Sequence, residues 1–263
     1  MGILVNDVLK QLIKPVGELP KTVDTLKFGT TNMDVSGIAV TFMPTYDVLK
    51  QANRLGANLL ITHEGIFHSH WDDSDIGPTK VSEDKLALIK ESGMAIFRFH
   101  DYIHKYTPDG IMQGLIQSLQ WEEFVDEHQP TASILTVPGM TVKDVCDYVK
   151  NKLGMEYLRV VGDPSMPCEK IGLLAGFRGG GSVAIPLFEQ QNLDLVIYGE
   201  GPEWETPEYV RDAIQQGKHK ALIVLGHMES EAAGMQLIAT ELATTFPSTP
   251  VHFIPVEPTF KVM

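Results

Sequence analysis

Short apolar runs interleaved with stretches of helical periodicity constrain this chain more than any other feature. Gly37-Ile-Ala-Val-Thr-Phe-Met43 reads as a buried strand that Pro44 stops, because proline cannot continue a hydrogen-bonded ladder. A helix over 45–55 follows, Gly56 breaks it, and Ala57-Asn-Leu-Leu-Ile-Thr62 is a second short strand. Before them, Leu4, Val5, Val8, Leu9, Leu12 and Ile13 fall at helical spacing over 3–14, ahead of Pro15. The pattern continues with a helix over 82–92 that takes Ser82 as its N-cap, with Lys85 where a capping box wants Glu. A strand over 94–99 and a helix over 109–119 come next. Strands over 133–137, 157–161, 170–174, 194–198, 221–225 and 251–254 then interleave with helices over 141–153, 182–191, 207–216 and 230–244. Elements of these lengths in this order define an α/β architecture. We expect two layered α/β domains, the first completed by the C-terminal segment. The turn-rich Glu127-His-Gln-Pro130 marks the boundary. The expected parts are 1–128, a middle domain over 129–216, and 217–263 returning to the first domain.

Charge and cysteine content narrow the function classes. Lys plus Arg is 21 against 34 Asp plus Glu, a formal net charge of −13. Such a field repels phosphate backbones and anionic lipid, so neither nucleic acid nor a membrane is an expected partner. The same acidity suits a protein that collects cations. Cys146 and Cys168 are the two cysteines and have no CxxC spacing, which fits a reducing, cytoplasmic compartment. The amino terminus lacks the basic region and small-residue cleavage site of a signal peptide.

Of the nine histidines, His63, His68, His70, His100 and His104 lie between positions 63 and 104. His63-Glu64-Gly65 sits just past the carboxyl end of an apolar strand, where ligands bind in open α/β sheets. The next strand ends in His100-Asp101-Tyr-Ile-His104, and a third in Gly226-His227-Met-Glu-Ser-Glu231. His227 and Glu231 are one helical turn apart, a spacing that lets both reach one centre. Three strand ends thus each offer a histidine with a carboxylate. Mixed imidazole and carboxylate sets suit Zn, Fe, Mn or Ni, and carboxylates bridge paired ions. His68, His70, His128, His219 and His252 lack the strand-end setting and read as solvated or supporting residues.

With these motifs in view, the chain resembles the NGG-one-interacting-factor-three-like proteins, the dinuclear-metal-centre hexameric family often labelled GTP cyclohydrolase type-two homologues. The resemblance runs through Gly56-Ala-Asn-Leu-Leu-Ile-Thr-His63, Asp109-Gly110-Ile, Leu195-Val-Ile-Tyr-Gly199-Glu200, Gly226-His-Met-Glu-Ser-Glu231 and Val251-His-Phe-Ile-Pro255. It implies a metal set of His63, Glu64, Asp101, His104, His227 and Glu231 for two divalent transition-metal ions. Glu64 stands where the family has a second His, and His104 where it has an Asp. Whether Asp101 or His104 ligates is left open by this exchange. The resemblance also implies a homohexamer.

Gly176-Phe-Arg178-Gly-Gly-Gly-Ser182 reads as a tight turn or as an anion contact, with Arg178 the cation to meet a substrate. Glu200 and Glu203, in Tyr198-Gly-Glu-Gly-Pro-Glu-Trp204, are candidate general bases or simply a solvated acidic cap. Asp72-Asp-Ser-Asp75 is a candidate lid or a plain surface loop. The expected function is a metal-dependent hydrolase acting on a small molecule, by nucleotide ring-opening or phosphoester cleavage. The alternatives are a non-enzymatic metal-binding, metal-delivery or metallocofactor-assembly protein, and a scaffold whose assembly is the function.

Overall fold

Fully buried apolar strands need helices on both faces, and the chain supplies them twice over. The computed structural model describes residues 2–71 and 77–263. In chain order its elements begin with α1 (Val5–Ile13), β1 (Leu26–Phe28), β2 (Ile38–Thr41), α2 (Tyr46–Arg54), β3 (Leu59–Thr62), α3 (Lys80–Ser92), β4 (Ala95–Arg98) and α4 (Asp101–His104). There follow α5 (Gly110–Leu119), β5 (Val125–His128), β6 (Ser133–Thr141), α6 (Val142–Leu153), β7 (Arg159–Val161), β8 (Pro167–Leu174) and α7 (Gly181–Gln190). β9 (Leu195–Tyr198), α8 (Thr206–Gln215), β10 (Ala221–Val224), α9 (His227–Thr245) and β11 (Val251–Phe253) complete the order.

The chain divides into two units, Met1–Gly110 with Gly234–Glu257 and Ile111–Ala233 with Pro258–Met263. The first holds a five-stranded sheet ordered β1-β4-β3-β2-β11, parallel except for β1. β11 pairs with β2, Val251 opposite Ile38, so the C-terminal strand belongs to this sheet. The core on one face gathers Ala39, Val48, Leu49, Leu60, Ile89 and Ile96. The second unit holds a six-stranded sheet ordered β5-β6-β8-β9-β10-β7. β8, β9 and β10 run parallel at its centre, over a core that includes Leu174, Phe188, Val196, Val210 and Leu222. Among the described residues no helix is long and apolar enough to cross a membrane.

The elements differ from the sequence reading where side chains compete for caps and edges. α3 starts at Lys80, not Ser82: Thr79 is the N-cap, its Oγ1 accepting the Ser82 N–H at 3.2 Å while Ser82 Oγ accepts the Thr79 N–H at 2.9 Å. The true capping box is thus Thr79 with Ser82. α9 starts at His227 rather than 230. β1 and β5, absent from the sequence reading, are edge strands whose residues are half-buried or exposed and so lack a period-two apolar signal. The acidic stretch 72–75 lies outside the described residues.

Lys85, freed of any capping role, is buried and donates from Nζ to the Ile66 carbonyl at 2.6 Å. Burial pushes its ammonium down to about 8. The folded pKa then lies below the unfolded one of about 10.4, so between these values the unfolded chain holds more protons and stability rises with pH. The protein should gain up to about 3 kcal/mol relative to Lys85→Met between pH 7.5 and 10.5. Urea unfolding of both proteins across that range checks this; parallel curves would refute it.

Candidate metal centre

The register of β3 against β4 builds the candidate site of the first unit. Thr62 lies opposite Arg98, so the chain leaves both strands at the same level, and the next residues on each are His63 and Phe99-His100. His63 is fully buried, and its Nδ1 lies 3.1 Å from the Phe99 carbonyl. A carbonyl only accepts, so Nδ1 carries the proton and the ring lone pair sits on Nε2. The same logic applies twice more. His100 Nδ1 lies 3.0 Å from Asp101 Oδ1, and His104 Nδ1 lies 3.0 Å from Asp109 Oδ2. Oxygen partners on Nδ1 are how metal-ligating histidines are held in tautomer and orientation.

The three rings converge. His63 and His100 stack with centroids 4.5 Å apart, and His104 stands edge-on to both, at 5.2 and 4.9 Å. One ligand atom from each of the three lies within 4.8 Å of those of the other two. Imidazoles of this spacing and tautomer are a donor set for a first-row transition ion. The donor chemistry therefore fits the metal that the sequence implies.

Asp101 has a different place. Its Oδ2 accepts the Thr22 hydroxyl at 2.9 Å and the Val23 N–H at 3.1 Å, and its Oδ1 faces His100. These bonds, that from His100 above all, hold its carboxyl well below the usual carboxylate range. The structure thus brings His100, rather than Asp101, together with His63 and His104. The sequence carried a usable signal, since His100 and His104 share the four-residue spacing of His227 and Glu231.

Glu64, itself among the candidate ligands, also faces Arg98. The guanidinium is fully buried, and it donates from Nε to the His63 carbonyl at 3.3 Å and from Nη1 to the His70 carbonyl. Its Nη2 lies 3.4 Å from Glu64 Oε2 and 3.1 Å from His70 Nδ1. A buried cation needs a counter-charge and full hydrogen bonding, and a carboxylate at position 64 supplies the charge where a histidine would not. His70 in turn sets its ring edge-on to His100, centroids 4.8 Å apart, so it supports the histidine set.

In the second unit the ends of β8, β9 and β10 are level, with Leu174, Tyr198 and Val224 in register. Gly226, at φ +116°, turns the chain sharply into α9. His227 Nε2 then lies 3.2 Å from Glu231 Oε2, and its Nδ1 lies 3.2 Å from Glu200 Oε1. Two donors on one ion with bonds near 2.1 Å stand roughly 3–3.5 Å apart, so the His227–Glu231 pair also fits. Ser230 ties the loop after β8 to this turn, accepting the Gly176 N–H at 2.9 Å and donating to the His227 carbonyl at 2.7 Å.

The remaining expected residues separate. Glu203 is exposed and pairs with Arg159 at 2.8 Å. Arg178 is half-buried in the glycine-rich loop. That loop is a close-packing device: a Cβ on Gly179 would lie 2.7 Å from both the Glu200 carbonyl and the Tyr198 ring. The amide of Gly181, at the start of α7, already donates to Glu205 Oε2 at 2.5 Å. The chain's own carboxylate thus meets this amide.

Fold and site together define an α/β protein with candidate metal-binding groups of histidine and glutamate. The model of the Duf34/NIF3 (NGG1p interacting factor 3) family matches residues 22–259, and the chain belongs to that family. A Clostridium acetobutylicum protein named GTP cyclohydrolase 1 type 2 homolog is 23% identical over 231 residues, covering 82% of this chain and 80% of its own. In structure, a hypothetical protein of Staphylococcus aureus superposes with a TM-score of 0.77 at 16% identity, over 100% of both chains. A Bacillus cereus protein related to NIF3 gives 0.76 at 14%, over 99% of both. At these identities the two structures support the fold.

Proposed function

We propose that this protein binds two divalent first-row transition-metal ions and uses them as a hydrolase of a small molecule. The observation that carries the metal reading is the convergence of His63, His100 and His104 with an oxygen acceptor on each Nδ1. In the second unit His227 and Glu231 are the proposed ligands, with Glu200 orienting His227. Bound there, such ions supply Lewis-acid polarisation of a substrate oxygen and activation of water near neutral pH. Ring-opening of a purine nucleotide, suggested by the names of the curated relatives, and phosphoester hydrolysis both use this chemistry. Assembly as a homohexamer in the cytoplasm belongs to the same reading.

Two observations favour a second reading. Glu203 is spent on Arg159 at the surface, and the α7 amide is taken by Glu205. Partners already on Glu203 and on the α7 amide suit a protein that stores, delivers or assembles metal rather than turning over substrate.

Elemental analysis of protein purified without chelator or metal-affinity resin separates these ideas. We expect about two first-row ions per subunit, with His63→Ala and Glu231→Ala each losing at least half. Turnover of nucleotide or phosphoester substrates in the loaded protein supports the hydrolase; full occupancy without turnover on a broad panel supports the carrier. A preparation that holds no metal and takes up none of Zn, Fe, Mn or Ni would sink both.

A further inference from the structure

α4 is four residues long, and a single turn of helix leaves most of its own amides unsatisfied. Yet this turn and its N-cap carry His100 and His104, two members of the histidine set. What holds it is a residue far away in sequence. Asp24 is 5% exposed, and its Oδ1 accepts the N–H of His100 at 2.8 Å and of Asp101 at 3.0 Å. Its Oδ2 accepts the Tyr102 N–H at 2.8 Å. One carboxylate thus serves three consecutive amides at the start of the turn.

The clasp is reciprocal. Asp101 Oδ2 accepts from Thr22 and Val23, while Thr22 Oγ1 accepts the Asp24 N–H at 3.0 Å. Segment 22–24 and the start of α4 therefore hold one another through side chains directed both ways, and the outcome is the angle at which two imidazoles meet His63.

We propose that Asp24 is the positioning residue of the histidine set, governing metal affinity through His100 and His104 without touching the ion, with Thr22 as its partner. This rests on the metal-binding reading above. Partners that orient ligands typically govern affinity by 10–100-fold, and the clasp orients two of three. Asp24→Asn keeps one oxygen for two amides but turns an NH2 donor toward a third donor. Its geometry is therefore degraded even though its size is unchanged.

The test titrates metal-free full-length protein with Co(II), following the ligand-field absorption that reports coordination geometry, alongside thermal unfolding by circular dichroism. Asp24→Asn and Asp24→Ala should weaken Co(II) binding about 10–100-fold and alter the band. Thr22→Val should weaken it less, in the same direction. Thr79→Ala, which removes the α3 cap, should lower the melting temperature and leave affinity and band unchanged. Wild-type affinity and band in Asp24→Asn, with only a lower melting temperature, overturn the proposal. If the Asp24 variants do not fold, Thr22→Val decides, and unchanged affinity there overturns it. A wild-type protein with no Co(II) band overturns the metal-binding reading and this assignment together. Wild-type binding with indifferent variants overturns this assignment alone.

Discussion

Arg98→Ala is expected to destabilise the protein by about 3–5 kcal/mol, the range for removing one partner of a buried ion pair. The guanidinium is fully buried and bonds two backbone carbonyls, of His63 and His70, besides facing Glu64 Oε2 and His70 Nδ1. Alanine leaves the Glu64 carboxylate without its cation and two carbonyls without their donor, and it opens a cavity. Arg98→Lys should recover only part of the loss, because a single ammonium cannot span the same acceptors as a planar fork. Adding Glu64→Gln to Arg98→Ala should recover part as well, since it removes the orphaned charge, and the two changes should be non-additive. Urea denaturation of wild type, Arg98→Ala, Arg98→Lys, Glu64→Gln and the double variant measures all of this. A loss below about 1 kcal/mol for Arg98→Ala, the size of an exposed pair, would mean that the buried clamp is not what holds the strand ends.

Gly176→Ala should be nearly as damaging, for a different reason. Its φ is +60°, a region where an L side chain costs about 1–2 kcal/mol. A Cβ there would also lie 2.0 Å from Glu231 Oε1 and 2.9 Å from the carboxyl carbon. Glu231 is 2% exposed, so its carboxylate has little room to yield. The loop must shift or the pair of His227 and Glu231 must open. We expect a total loss of about 2–4 kcal/mol, backbone strain plus overpacking, and a fall in metal bound through that pair. Denaturation and metal content read the two effects separately. A protein with wild-type stability and wild-type metal content would show that the contact with Glu231 is not essential.

Legibility in the sequence followed burial. β2, β3, β4, β9 and β10 are buried at every position, so each showed as a short, mainly apolar run, β4 with the buried Arg98 at its end. β1 and β5 pair at sheet edges with mixed exposure and left no such trace. Among the candidate ligands, His63, His227 and Glu231 were legible because each follows a readable strand. His100 stands in the same motif as His104 but outside the ligand set that the resemblance implies. Only the contacts of Asp101 with Thr22 and Val23 show where that carboxylate is spent. Asp24 had no signal at all: its partners lie 76 to 78 positions along the chain.

By itself, the order of apolar runs and helical periods determined the α/β class, and the strand ends marked the segments that carry the candidate ligands. Both are local properties, since burial of a short segment and the turn after it are written in adjacent residues. The tertiary structure decided which side chains meet: that three imidazoles converge, that a buried arginine calls for a glutamate at position 64, and that Glu203 turns to Arg159. Such pairings depend on register between strands and on hydrogen bonds across dozens of residues, which no local pattern encodes.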